Sequence, residues 1–174
     1  MTVISPVSLS SLCLTLRISK PRVERWISDG KFWPLEAVEN GKARAWGIQD
    51  AIRLIAFVRL VDAGCKVEVG KAIGRLHAFR DEGAFLVVKA LEEPMKLPTA
   101  SDLERLHPTW RQTISEMGAS EYFDAQVCRR EEVLPLLAEA NVAAIFVVDL
   151  ARVEEEAIDA MERAAALDGK GLAD

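Results

Sequence analysis

Five basic side chains near the start of the chain are spaced for work on a polyanion. Lys20, Arg22 and Arg25 sit close together in a segment with helical periodicity, and Lys42 and Arg44 follow two residues apart. An arginine fork can pair bidentately with a phosphate or with the O6 and N7 edge of guanine, the latter worth about 1–3 kcal/mol of discrimination. Residues two apart on a strand point to the same side, so Lys42 and Arg44 can grip a backbone together. Glu24 lies inside the cluster and would be repelled by phosphate, unless it accepts from cytosine N4 or pairs with a neighbouring Arg.

Other chemistries find little to build on. Cys13, Cys65 and Cys128 are far apart, with no Cys-x-x-Cys pair, and His77 and His107 are isolated. That pattern excludes a zinc site of local ligand spacing and argues against a disulfide framework. The thiols read as small buried hydrophobes. There is no glycine-rich phosphate loop, no nucleophile elbow and no converging acid–base set. The expectation is a protein without catalysis, cofactor or metal.

The charge balance supports the first reading. The 174 residues carry a formal charge of −5, but the distribution is uneven. Residues 1–80 hold 13 Lys+Arg against 7 Asp+Glu, a net of +6, and residues 81–174 hold 9 against 20, a net of −11. One half is suited to a polyanion and the other is not. No apolar run reaches the roughly 18 residues of a bilayer span, and no charged leader precedes an apolar core. A cytoplasmic protein without membrane contact is expected.

The elements that must position the basic residues are legible in outline. Leu9, Leu12, Cys13 and Leu16 share one helical face, with Ser8 as N-cap. Ser19 caps a second helix with Pro21 in its first turn, Val23, Trp26 and Ile27 inward, and Gly30 as its stop. Two short helices joined by about three residues make a helix-turn-helix. Leu35–Glu39 and about Lys42–Trp46 read as strands around the hairpin signal Asn40-Gly41, forming a wing with a basic tip. Trp26 and Trp46 fall on the apolar pattern and are expected in the core. A third helix starts at Gln49 or Asp50 and ends at Ala63-Gly64, and a fourth runs from Val67 to Arg80.

After Gly83 the pattern changes. Ala84–Leu91 and Ala143–Val148 read as strands, and Glu131–Ala140 as a short helix despite Pro135. A final helix runs from Asp149 or Leu150 to about Leu167. Its apolar stripe, Val153–Ala157–Ile158–Met161–Ala165, fits either packing on its own sheet or self-association. Tyr122, Phe123 and Trp110 lie in this acidic half, away from any basic groove that could stack single strands.

The ordered set Leu9…Leu12-Cys13…Leu16-Arg17-Ile18-Ser19, Val23…Trp26…Asp29-Gly30-Lys31-Phe32, and Asn40-Gly41-Lys42-Ala43-Arg44-Ala45-Trp46 resembles the MerR-type winged helix-turn-helix domain. Gln49–Leu54 and Leu60-Val61-Asp62-Ala63-Gly64 complete the resemblance, which covers about residues 8–80. Ile27–Trp46 is also similar to excisionase-type small regulators. Arg17 stands where such domains usually carry Gly, Glu24 where an Arg is usual, and a strand-like segment replaces the long dimerisation helix. The resemblance implies a mainly α chain: a winged helix-turn-helix DNA-binding domain at 1–83, then a small α+β domain at 84–174 ending in a helix. It further implies a homodimeric transcriptional regulator of double-stranded DNA, MerR-like or of prophage type, with Arg17, Ser19, Lys20, Arg22, Arg25, Lys42 and Arg44 as DNA contacts. The alternatives are a small-terminase or excisionase-type accessory factor of mobile elements, and a protein-binding adaptor built on the same winged fold.

Overall fold

The computed structural model describes residues 5–35, 44–74, 84–95, 121–136, 138–139 and 141–170. Among these, six helices and three strands follow the order α1 (Leu9–Leu16), α2 (Lys20–Ser28), α3 (Ile48–Asp62), α4 (Val69–Gly74), β1 (Ala84–Met95), β2 (Glu121–Arg129), α5 (Arg130–Leu136), β3 (Val142–Asp149) and α6 (Leu150–Lys170). The expected strand Leu35–Glu39 beyond its first residue, the hairpin tip at Asn40-Gly41, Lys42 and the boundary at residue 83 lie outside the described residues.

The two N-terminal helices form for the expected local reasons. Ser8 caps α1, its Oγ accepting from the Ser11 amide at 3.1 Å. Arg17 closes α1 in the left-handed region (φ 56°, ψ 35°), while the amides of Arg17 and Ile18 donate to Leu14 and Cys13 carbonyls. Ser19 precedes α2 in extended conformation without a side-chain cap bond, and Pro21 sits in the first turn. Val23 and Trp26 turn inward from α2.

Trp26 and Trp46 are both in the core, as their pattern predicts. Trp26 meets Phe57 edge-on at 5.0 Å, and Phe32 lies parallel to Trp46 at 6.3 Å. The backbone of Trp46 exchanges two hydrogen bonds with Val7, at 3.0 and 2.9 Å, anchoring the chain just before α3.

The second half is an antiparallel sheet of order β2-β1-β3. The expectation of a mainly α chain is corrected: the fold is mixed α+β. The strand Glu121–Arg129 makes the difference, since it pairs with β1 from Ala84↔Arg129 to Ala90↔Phe123. Leu86 and Val88 on β1, Phe123 on β2 and Val148 on β3 belong to one hydrophobic core with the side chains of α1–α4 and α6. Lys89 on the central strand is also buried. Its Nζ lies 2.8 Å from Asp124, directly opposite on β2, and 2.7 Å from Glu139 beyond α5. Burial opposes its charge, but the two carboxylates outweigh that effect and hold its pKa above the usual lysine value.

α6 extends three residues past its expected end. Of its expected stripe, Val153, Ala157 and Met161 are buried within the chain while Ile158 and Ala165 are half-buried. Ala160 and Ala164 complete the buried face, which packs mainly against α1 and α3 with smaller contacts to β1 and β3. At its far end Asp168 accepts from the Ser8 amide (2.8 Å), the Ser8 hydroxyl (3.0 Å) and the Ser11 hydroxyl. Thus the last helix clasps the first. Among the described residues no helix is long and apolar enough to cross a membrane.

Candidate nucleic-acid interface

With Val23 and Trp26 buried, α2 leaves Arg22, Glu24, Arg25 and Asp29 exposed and Lys20 half-buried. Each of the three bases has an acidic neighbour. Lys20 pairs with Glu24 at 3.6 Å and Arg25 with Asp29 at 3.5 Å along the helix, while Arg22 reaches Asp62 at the end of α3 at 3.5 Å. Arg22 is also held flat: its guanidinium carbon lies 4.4 Å from the centre of the Trp26 ring. Exposed pairs of this kind are worth only about 0.2–1 kcal/mol, so a phosphate could displace the carboxylates at small cost. The partner of Glu24 is Lys20 and not the neighbouring Arg expected of it, since Arg22 and Arg25 turn to Asp62 and Asp29.

Arg17 and Ser19 sit exposed in the turn ahead of α2, so they adjoin Lys20 and Arg22 at its leading end. Arg44 is different. It is half-buried, and its Nε is enclosed without a hydrogen-bond partner among the described residues. The expected wing contact is therefore turned partly inward, and its companion Lys42 lies outside the described residues.

The position of α2 is set from behind by contacts that sequence reasoning did not single out. Lys31, just past Gly30 (φ 60°), pairs with Glu68 at 2.9 Å, ahead of α4. That hydrogen bond holds the Glu68 carboxyl below its ordinary value. A Cβ on Gly70 would meet the Lys31 carbonyl oxygen at 1.7 Å, so only glycine lets α4 approach this backbone. Trp33 follows, 41% exposed, with its ring beside Gly74.

Asp50 is the other missed residue. Although charged, it is buried at the start of α3, accepting from the Leu35 amide at 2.7 Å and the Gly47 amide at 3.4 Å. Its charge also favours the protonated form of buried Arg53, against the desolvation that lowers that group's pKa. The two amides flank the segment carrying Lys42 and Arg44, so Asp50 ties down both ends of it. Asp50→Ala should destabilise the protein by about 1–3 kcal/mol, the usual effect of stranding buried donors, measured as a lower urea midpoint with unchanged slope.

The thiols offer no reactive group. Burial pushes Cys13 and Cys65 up to about 11 and raises Cys128 as well, leaving little thiolate at neutral pH. Among the described residues, no three histidine, cysteine, aspartate or glutamate side chains cluster to hold a metal ion. Compared with protein-family models, curated proteins and solved structures, the chain matches none.

Proposed function

We propose that this chain is a cytoplasmic, double-stranded-DNA-binding transcriptional regulator of winged helix-turn-helix type, MerR-like, acting as a homodimer without catalysis. The observation that carries the reading is α2 itself. A short helix rests on Val23 and Trp26 and presents Arg22 and Arg25, with Arg17, Ser19 and Lys20 at its leading end. A helix entering the major groove leads with its first turns, where those side chains sit. Arg22 and Arg25 read base edges; Arg17, Ser19 and Lys20 contact phosphates; Lys42 and Arg44 serve the flanking backbone. The Trp46–Val7 bridge fits the root of a wing, since it fixes the chain returning from Lys42.

Fluorescence anisotropy of the full chain with random-sequence duplex DNA across a salt series tests this. Log affinity should fall linearly with log salt, by about 0.9 log unit per tenfold rise in salt for each phosphate neutralised. Absence of binding at low salt would remove the DNA reading and leave the helix-turn-helix to a protein partner.

A further inference from the structure

β3 pairs with β1 on one side, and among the described residues no strand pairs with its other side. A groove of about 410 Å³ follows that open side. It is lined by Ile145, Phe146, Val147, Val148 and Asp149 in unbroken succession, and by Leu60 and Ala63 at the end of α3. Successive strand residues point to opposite faces, so a groove touching five in a row follows the backbone edge. A row of unpaired N–H and C=O groups is a template for one more strand.

Edges left open in soluble proteins are commonly guarded by a charge, a proline or a bulge. Val142–Val148 has no charged residue and no proline, and its register with β1 is regular from Ala144 to Asp149. Ala143, Ala144 and Val147 are exposed, Val147 to 46%. The opposite edge strand, β2, carries Glu121, Asp124 and Arg129 and has a register break toward Glu121.

We propose that the open edge of β3 takes β3 of a second copy of this chain, antiparallel about a two-fold axis, joining two sheets into one of six strands. Charge favours this occupant. Arg59 beside the groove is engaged by Glu156, and Arg152 lies 3.8 Å from Asp149, so the groove has matched charges at its lips and an apolar floor. An uncharged strand fits it, and Val142–Val148 is one. Symmetry favours it too: β3 on β3 closes at two chains, whereas β3 on β2 would leave a free edge at each end and grow. The proposal gives the homodimer a surface other than the filled stripe of α6, and it does not depend on DNA binding.

Sedimentation equilibrium of the full chain without DNA tests it, with Val147→Lys and Ala143→Lys as variants at exposed positions. The wild type should reach twice its 19.2 kDa mass. Each variant should raise the dissociation constant by about tenfold or more, with unchanged far-UV circular dichroism. The alternate amides of β3 that do not face β1 should be protected from exchange in the dimer and lose that protection on dilution. A wild-type monomer at about 100 μM, well above the range of specific complexes, would overturn the proposal. So would a dimer that both variants leave intact, or growth beyond two chains.

Discussion

Deleting residues 150–174 should unfold the N-terminal helices as well as the sheet. α6 supplies Val153, Ala157, Ala160, Met161 and Ala164 to the core shared with α1 and α3. Without it, Leu12, Leu60 and their neighbours lose a wall that no other element among the described residues replaces. The truncated chain should lose its near-ultraviolet circular dichroism, with emission from Trp26 and Trp46 shifted to the red as the rings meet water. A milder form of the test is Met161→Ala. Truncating a fully buried methionine costs about 2–5 kcal/mol, a large share of a typical 5–15 kcal/mol total. If the deleted chain kept a native spectrum, α6 would be an appendage and the shared core would be wrong.

The same helix makes the fold sensitive to acid. The Ser11 hydroxyl, then the Ser8 amide, hold the Asp168 carboxyl below its ordinary value. A carboxylate depressed in the folded state stabilises fully above its unfolded value near 3.9, and that contribution disappears as pH falls through the lower folded value. Asp168→Asn should therefore destabilise the protein at neutral pH and flatten its loss of stability in acid.

If α2 reads DNA as proposed, Arg22→Ala with Arg25→Ala should weaken that binding by about tenfold or more, since an arginine pairing with a base edge is worth about 1–3 kcal/mol. Removing the competing acids should act the other way. Glu24→Gln and Asp29→Asn free Lys20 and Arg25 from exposed pairs, so affinity should rise several-fold while stability moves by less than about 1 kcal/mol. Arg17 separates stability from binding. A side chain with a Cβ pays about 1–2 kcal/mol for the left-handed conformation that glycine adopts freely. Arg17→Gly should raise the melting temperature while lowering affinity, because the proposed phosphate contact goes with the side chain. A variant that gains stability and binds unchanged would remove Arg17 from the interface.

The N-terminal helices were legible because their signals are local: the Ser8 cap, Pro21, Gly30, and the spacing of Val23 and Trp26. Ser19 was in place without making the expected cap bond. In the second half the missed strand carried a readable alternation, with Phe123, Ala125 and Val127 on one side and Tyr122, Asp124, Gln126 and Cys128 on the other. The polar side obscured it, because a period-two reading favours β-branched residues and this strand has few. Asp50 and Lys89 were harder still. Their burial depends on partners distant in sequence or on backbone amides, and no spacing rule reports those. The partners of the α6 stripe were illegible for the same reason, since an apolar face declares only that something covers it.

The buried Lys89 also bears on how the chain avoids pairing wrongly with itself. β1 reads Ala-Phe-Leu-Val-Val-Lys-Ala-Leu, and its apolar side chains could slide against β2 or β3 with modest loss. A one-residue slip turns the strand's faces over, placing Lys89 opposite Phe123 or Ala125 and parting it from Asp124. A buried ammonium severed from its partner is destabilising by about 3–5 kcal/mol. One charge in a greasy strand therefore acts as an index mark: neighbouring registers that satisfy the hydrophobic effect nearly as well are rejected because they strand it.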